Sequence, residues 1–335
     1  MSTNEMLVQR LSDRPVVAYG SVPGYGAIFN AGLLVRDGVF HLFARGVRNG
    51  YYRNPDVGDR FLDYISDVLV FTSVDGLSYE FGYVLAKAGD SGVCCYEDAR
   101  VQIVREGDQE HIVMTYTNLP DRASGEAHHI GAHRLHWDGT RFHLIGETHD
   151  IGPGGIPNKD GIIFNLDGDR VALLHRVHPN MQIAVFDDLS QLWNASDDYW
   201  SEYMSDLDSH VIIRRGDARG IGAGAPVLCV EGGLLNFFHE TTNDGVYVVK
   251  VALHDASTGL VLACLDEPLL VPELDWELRG DVNDVVFVQG AHIEGDLVYL
   301  VYGASDNNIG AAQARVSDLL EALNANRKVR ELALV

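Results

Sequence analysis

Residues 37–46 read DGVFHLFARG: a turn, a run of alternating apolar residues, then a charged side chain where the run ends. The same pattern returns in EHIVMTYTN (110–118), DRVALLHRVH (169–178), GGLLNFFHET (232–241) and GDLVYLVYGASD (295–306). Alternation with period two marks a half-buried strand. Each run is followed by a second one that closes on an acidic turn: SDVLVFTSVDG (66–76), IGAHRLHWDG (130–139), MQIAVFDDLS (181–190), VYVVKVALHDAS (246–257) and IGAAQARVSD (309–318). Five copies of one unit, roughly 60–70 residues apart and each long enough for four strands, fit a radial repeat better than a sandwich. An all-β, five-bladed β-propeller is therefore expected, with residues 1–335 as a single domain and a short C-terminal helix at about 316–334. That last segment, VSDLLEALNANRKVRELAL, is the only one that reads as a helix, with Ser317 as its N-cap.

Composition bounds the function. Hydrophobic residues make up 46% of 335 positions, and no apolar run approaches the roughly 18 residues of a membrane span. The N-terminal MSTNEMLVQRLSDRPVV lacks a basic stretch followed by an apolar one, so no signal peptide is expected. Cysteines at 94, 95, 229 and 264 show no zinc-ligand spacing, which points to free thiols in a reducing cytoplasm. A net charge of −23 repels nucleic-acid phosphates and anionic membranes, and neither is expected as a partner. Against that background a local cluster of cations stands out.

In a propeller, equivalent strand ends converge on one central depression. The polar residues closing the first set of runs are Arg45, Tyr116 or Asn118, Arg176, His239 and Asp306. In CCYEDARV (94–101), Glu97, Asp98 and Arg100 crowd together, as for a carboxylate held beside a cation where it can move a proton. ARGVRNGYYRNPDVGDRFLDY (44–64) sets Arg45, Arg48, Arg53 and Arg60 among Tyr51, Tyr52 and Tyr64, which suits a loop lining a polar-ligand pocket. GIGAGAP (220–226) fails as a dinucleotide loop, because Pro226 and a strand follow it rather than a helix; close backbone approach to the pocket explains it better. The 14 histidines form no HExxH or clustered metal spacing, and there is no GxSxG elbow, so neither a metal nor a serine nucleophile is expected.

Taken in order, these stretches resemble glycoside hydrolase family 130, the β-mannoside phosphorylases and hydrolases, which are five-bladed propellers. IFNAGLLVRDGVFHLFARGV (28–47) is similar to the family's first blade. YEDARV is similar to its Glu-Asp-Pro-Arg signature, with Ala99 in place of proline. NKDGIIFN with ALLHR resembles the third blade, IGAGAPVL, LLNFFHE and VYVVKVALHD the fourth, and VNDVVFVQGA with LVYLVYGASD the fifth. The resemblance makes Asp98 the proton donor, acting through a hydroxyl of the bound mannosyl unit. It assigns phosphate to Lys159, Arg176, His239 and Tyr247. It assigns the sugar to Asn30, Arg45, Arg100 and Asp306, with Tyr116 added from the strand-end pattern. No cofactor is implied, only inorganic phosphate as co-substrate and a small carbohydrate as substrate, with a homo-oligomer left open.

The residue types suit that chemistry. An inverting glycosidase needs an acid and a base, whereas phosphate is already an anionic nucleophile and needs cations to hold it opposite the acid. Two departures keep hydrolysis open. Gly220 stands where the family's phosphorylases tend to carry a lysine, with Arg219 one residue earlier, and Glu240 follows His239 where they carry glycine. Glu240 is thus an alternative catalytic residue, a base that activates water. A propeller that binds glycans without turnover is the third possibility.

Overall fold

The structure, a computed structural model, describes residues 7–54, 56, 61–89, 93–120, 124 and 126–333, with side chains in the last helix to Arg327. Five antiparallel sheets form a five-bladed propeller with few helices. Blade 1 runs Tyr25–Arg36, Val39–Arg48, Ser66–Ser73, Glu80–Ala86, and blade 2 runs Cys95–Glu106, Gln109–Leu119, His129–Trp137, Phe142–Ile151. Blade 3 is Asn158–Asn165, Val171–Val177, Met181–Phe186, Val211–Ile213, and blade 4 is Gly220–Ala223, Gly233–Thr241, Tyr247–His254, Val261–Cys264. Blade 5 takes Val286–Glu294, Leu297–Ala304 and Asn308–Arg315, and its outermost strand is the N-terminal Val8–Arg10. An early segment completing the last blade closes the ring and hides an edge that would otherwise pair with another chain.

The alternating runs are the second and third strands of every blade, and their apolar faces meet between neighbouring blades. Five apolar clusters result, one at each interface. Phe43, Val70, Tyr96 and Met114 lie between blades 1 and 2, for example, and Leu235, Val251, Val286 and Leu300 between blades 4 and 5. The clusters between blades 2 and 3, 3 and 4, and 5 and 1 follow the same pattern. Burying each such side chain contributes about 1.5–3 kcal/mol, so the faces that make the ring also fix its order.

Beside the axis, side chains stitch the innermost strands together. Arg100, fully buried, donates to the carbonyls of Asp98, Ala223 and Gly224 at 3.0, 2.8 and 2.7 Å, joining blades 2 and 4. Gln289 does the same for blades 5, 1 and 2, donating from Nε2 to Asn30 O and Ala99 O at 2.9 Å each.

Two helix expectations need correction. Besides the C-terminal α4 (Val316–Ala333), the chain forms α1 (Leu189–Trp193), α2 (Asp197–Ser205), a 3₁₀ turn (Leu207–His210) and α3 (Asp275–Leu278). α1 and α2 lie between the third and fourth strands of blade 3 and are capped by Asp188, which accepts from Gln191 N, and Ser196, which accepts from Tyr199 N. The acidic turn at 187–188 was thus a helix start. Ser317 does not cap α4 but is capped: Asp296, from the preceding hairpin, accepts from its N–H and its hydroxyl at 2.9 Å each.

Candidate active site

The innermost strands of blades 1, 2 and 3 break register at the same place, near their axial ends. The shifts fall between Phe29 and Gly32, Glu97 and Arg100, and Lys159 and Ile162. At each bulge one residue takes the left-handed conformation: Asn30 at φ 46°, Asp98 at 55° and Asp160 at 60°. Asn and Asp tolerate that region better than other side chains, and a bulge re-aims the residue it releases from the ladder. Asp306, in the turn after the second strand of blade 5, is also left-handed, at φ 53°. All four line one cavity of about 250 Å³ on the axis.

The cavity has two chemically distinct sides. Blades 1, 2 and 5 supply Asn30, Arg45, Glu97, Asp98 and Asp306; blades 3 and 4 supply Lys159, Asp160, Arg176, His239 and Tyr247. On the first side Asp98 Oδ1 accepts from Asn30 Nδ2 at 2.8 Å and from Arg45 Nη1 at 3.3 Å. Arg45 also pairs with Glu97, and its guanidinium carbon stands 4.8 Å from the Phe29 ring centroid and 5.2 Å from that of Tyr64. Desolvation pushes the Asp306 carboxyl up to about 6, with Arg45 pulling it down and Asp98 pushing it further up.

On the second side Arg176 places Nε 3.1 Å from Asp160 Oδ2 and donates from Nη1 to Ile221 O at 3.1 Å. Among the described residues the Lys159 ammonium has no ion-pair partner within 4.0 Å, so its charge faces the cavity. Burial lowers the His239 imidazole to about 3, with Arg176 and Lys159 pressing the same way against Asp160, so it is neutral near pH 7 and offers one N–H. Its ring stacks on Tyr247, centroids 5.7 Å apart. Burial works to raise the Asp160 carboxyl, but Arg176, Lys159, His239 and Arg100 together hold it well below the usual carboxylate range.

The cavity therefore gathers Asp98, Lys159, Arg176, His239, Tyr247, Asn30, Arg45 and Asp306, and three nominated residues stand elsewhere. Glu240 follows His239 along a regular strand, so it points to the opposite face and lines a separate side cavity with Arg214, Phe238 and Lys250. Arg100 lies behind the wall, its donors spent on Asp160 and three carbonyls. Tyr116 turns into the interface between blades 1 and 2, tilted against Tyr96 and hydrogen-bonded to Thr148; Asn118, the other candidate there, is bonded to His129. The cavity is also not uniformly cationic, since four carboxylates share it with Arg45, Lys159 and Arg176.

The aromatic and cationic loop divides its residues. Arg45 reaches the cavity, whereas Arg48 makes a bidentate pair with Asp67 at 2.8 Å on both contacts. Tyr51 donates to Asp281 at 2.5 Å and Tyr52 is exposed. Tyr64 passes from Arg45 into an adjoining, larger cavity of about 810 Å³, shared with Phe61, Leu119 and His128. Arg60 lies outside the described residues.

Asp160 was missed. It shares the left-handed bulge of Asn30 and Asp98, and the K-D-G of NKDGIIFN is the counterpart of F-N-A and E-D-A in the other two blades. Gly222 is its complement: a Cβ there would overlap Asp160 Oδ2 and His239 Cε1. That explains part of GIGAGAP as close backbone approach. Among the described residues no group of three or more His, Cys, Asp or Glu is placed to hold a metal, and no helix is long and apolar enough to cross a membrane.

The family model described as beta-1,4-mannooligosaccharide phosphorylase matches residues 4–325. A 1,2-beta-oligomannan phosphorylase of a Thermoanaerobacter species is 28% identical over 325 residues, 93% of this chain and 98% of that protein. A beta-1,2-mannobiose phosphorylase of the same organism is 28% identical over 309 residues, 90% and 95% of the two chains. Among solved structures, the beta-1,2-mannobiose phosphorylase of Listeria innocua in complex with beta-1,2-mannobiose superposes with a TM-score of 0.74 at 20% identity, covering 96% of this chain and 100% of that one.

Proposed function

The chain belongs to glycoside hydrolase family 130, and on that premise we propose that it is an inverting β-mannoside phosphorylase. In this assignment inorganic phosphate cleaves a β-mannosyl disaccharide or short oligosaccharide to mannose 1-phosphate. The single observation that carries it is the division of the axial cavity, with Asp98 among the carboxylates of one side and, on the other, Lys159, Arg176, His239 and Tyr247 gathered around a single carboxylate, Asp160. Asp98 is the acid. Asn30 and Arg45 hold its Oδ1, and among the described residues no donor reaches Oδ2. Its proton passes through a hydroxyl of the mannosyl unit to the glycosidic oxygen as the bond to the anomeric carbon breaks. Phosphate, gripped by Lys159, Arg176, His239 and Tyr247, forms the new bond from the opposite face, which inverts the configuration. Charge-assisted contacts from Arg and Lys are the strong ones for this purpose, and a neutral imidazole adds a donor without a further charge.

Asn30, Arg45 and Asp306 are assigned to the mannosyl unit, and the adjoining cavity along Tyr64 and His128 to the acceptor sugar. The two long relatives are named for β-1,2 linkages, so that is the linkage to test first. Phosphorolysis is favoured over hydrolysis by the carboxylates available. Glu240 stands outside the cavity, and Asp160, the one carboxylate on the phosphate side, is engaged by Arg100 and Arg176 and held too acidic to take a proton from water near pH 7. The whole chain is assigned to one catalytic unit, with no cofactor beyond the co-substrate phosphate. Incubating β-1,2-mannobiose with and without phosphate tests the assignment: mannose 1-phosphate forms only with phosphate. Release of free mannose at the same rate in phosphate-free buffer would make the protein a hydrolase.

A further inference from the structure

Asp160 has a place in the cavity but no part in the reaction as described. It is buried, left-handed, and set between two arginines of different fates. Arg100 Nη2 stands 3.3 Å from Oδ1, and Arg100 is fixed to three backbone carbonyls, so that end of the contact cannot move. Arg176 Nε stands 3.1 Å from Oδ2, and its Nη1 is tied at 3.1 Å to Ile221 O. The carbonyl accepts a hydrogen bond and the carboxylate holds the charge as an ion pair, so the guanidinium is tethered at Nη1 and drawn toward Asp160 at Nε. Held there, Arg176 lines the cavity. Gly222 leaves the carboxylate only the room it occupies, since a Cβ there would strike Oδ2.

We propose that Asp160 is the positioning residue of the phosphate side: wedged between the immobile Arg100 and Gly222, it holds the Arg176 guanidinium in place for the incoming anion and acts on phosphate through Arg176. This rests on the assignment of that side to phosphate. Loss of the Asp160 charge by itself would draw an anion in, whereas loss of Arg176 alignment weakens its hold, so the sign of the effect separates the two roles. In steady-state kinetics, Asp160→Asn is expected to raise the KM for phosphate at least tenfold and to leave the KM for β-1,2-mannobiose within twofold. In an Arg176→Ala background the same substitution is expected not to raise the phosphate KM further.

An unchanged or lowered phosphate KM overturns the proposal, as does an equal effect on both substrates, or full additivity with Arg176→Ala. Should Asp160→Asn fail to fold, Arg176→Lys decides the matter, because an ammonium keeps the charge but has no guanidinium for Asp160 and Ile221 O to place. Its phosphate KM is expected to rise at least tenfold with the KM for β-1,2-mannobiose within twofold of wild type, and a phosphate KM within twofold of wild type would show that the placing of the guanidinium is not what the site depends on. A wild type that cleaves without phosphate removes the phosphate assignment and this inference together. A phosphate-dependent wild type with an indifferent Asp160→Asn removes the inference alone.

Discussion

Replacing Asp98 by Asn takes away the transferable proton of the acid and almost no volume. The amide oxygen can keep the place of Oδ1, accepting from Asn30 at 2.8 Å and Arg45 at 3.3 Å, while the NH₂ takes the place of Oδ2, where among the described residues no donor stands to clash with it. Arg45 keeps its pair with Glu97 and its two aromatic neighbours. The fold therefore loses one charge-assisted contact weakened to a neutral one, about 1 kcal/mol, which for a chain of this size shifts Tm by only a few degrees. Catalysis loses its acid, a factor of about 10²–10⁴, or roughly 3–5 kcal/mol of barrier. The assay is initial release of mannose 1-phosphate from β-1,2-mannobiose at saturating phosphate, beside a nitrophenyl β-mannoside whose leaving group needs little protonation. The deficit of Asp98→Asn is expected on the disaccharide and is expected to shrink at least tenfold on the aryl substrate. A variant that keeps a tenth of the wild-type rate on the disaccharide, or loses equally on both substrates, would refute the acid role.

Arg176→Ala removes at least one charge-assisted contact to phosphate, about 1.5–3 kcal/mol, so the phosphate KM should rise by about 10–150-fold with the disaccharide KM nearly unchanged; a rise shared by both substrates would point to a distorted cavity instead. Glu240→Gln, on the outward face of its strand, is expected to leave phosphate-dependent turnover within twofold of wild type, and a hundredfold loss would return Glu240 to the reaction. The Asp306 carboxyl, raised to about 6, binds its proton more tightly folded than unfolded. Its contribution to stability is therefore full below about pH 4 and is lost as pH rises through about 6. Melting temperatures of wild type and Asp306→Asn across pH 3.5–7 should show the variant gaining on the wild type through that window and then levelling; a constant difference would mean that Asp306 does not titrate there.

Alternation made the second and third strands of each blade legible, because each puts an apolar face against a neighbouring blade and a different face elsewhere. The innermost strands gave no such signal. They are buried on nearly all sides and broken by bulges, so FNAG, EDAR and KDG read as turns or motifs rather than as strands. α1 and α2 escaped for a related reason. Five and nine residues carry too few turns to show a period, and only the caps Asp188 and Ser196 marked them.

Strand ends at equivalent repeat positions identified Arg45, Arg176, His239 and Asp306, since a radial repeat brings such positions to one axis whatever their separation along the chain. Direction along a strand is where spacing failed. Glu240 is next to His239 in sequence and on the far side of the sheet in space, because successive side chains point to opposite faces. At Asp98 a bulge breaks that alternation, so Arg100, two residues on, lies behind the wall rather than beside the acid, and the equivalent bulge of blade 3 carried Asp160 into the cavity unnoticed. The sequence by itself determined the ring, the family and the chemical types that line the axis, because repetition and residue type are properties of the chain. Which of those side chains face the cavity was decided only in three dimensions, by left-handed residues at three bulges and by Gly222, which leaves room for Asp160 beside His239, and neither is a function of spacing.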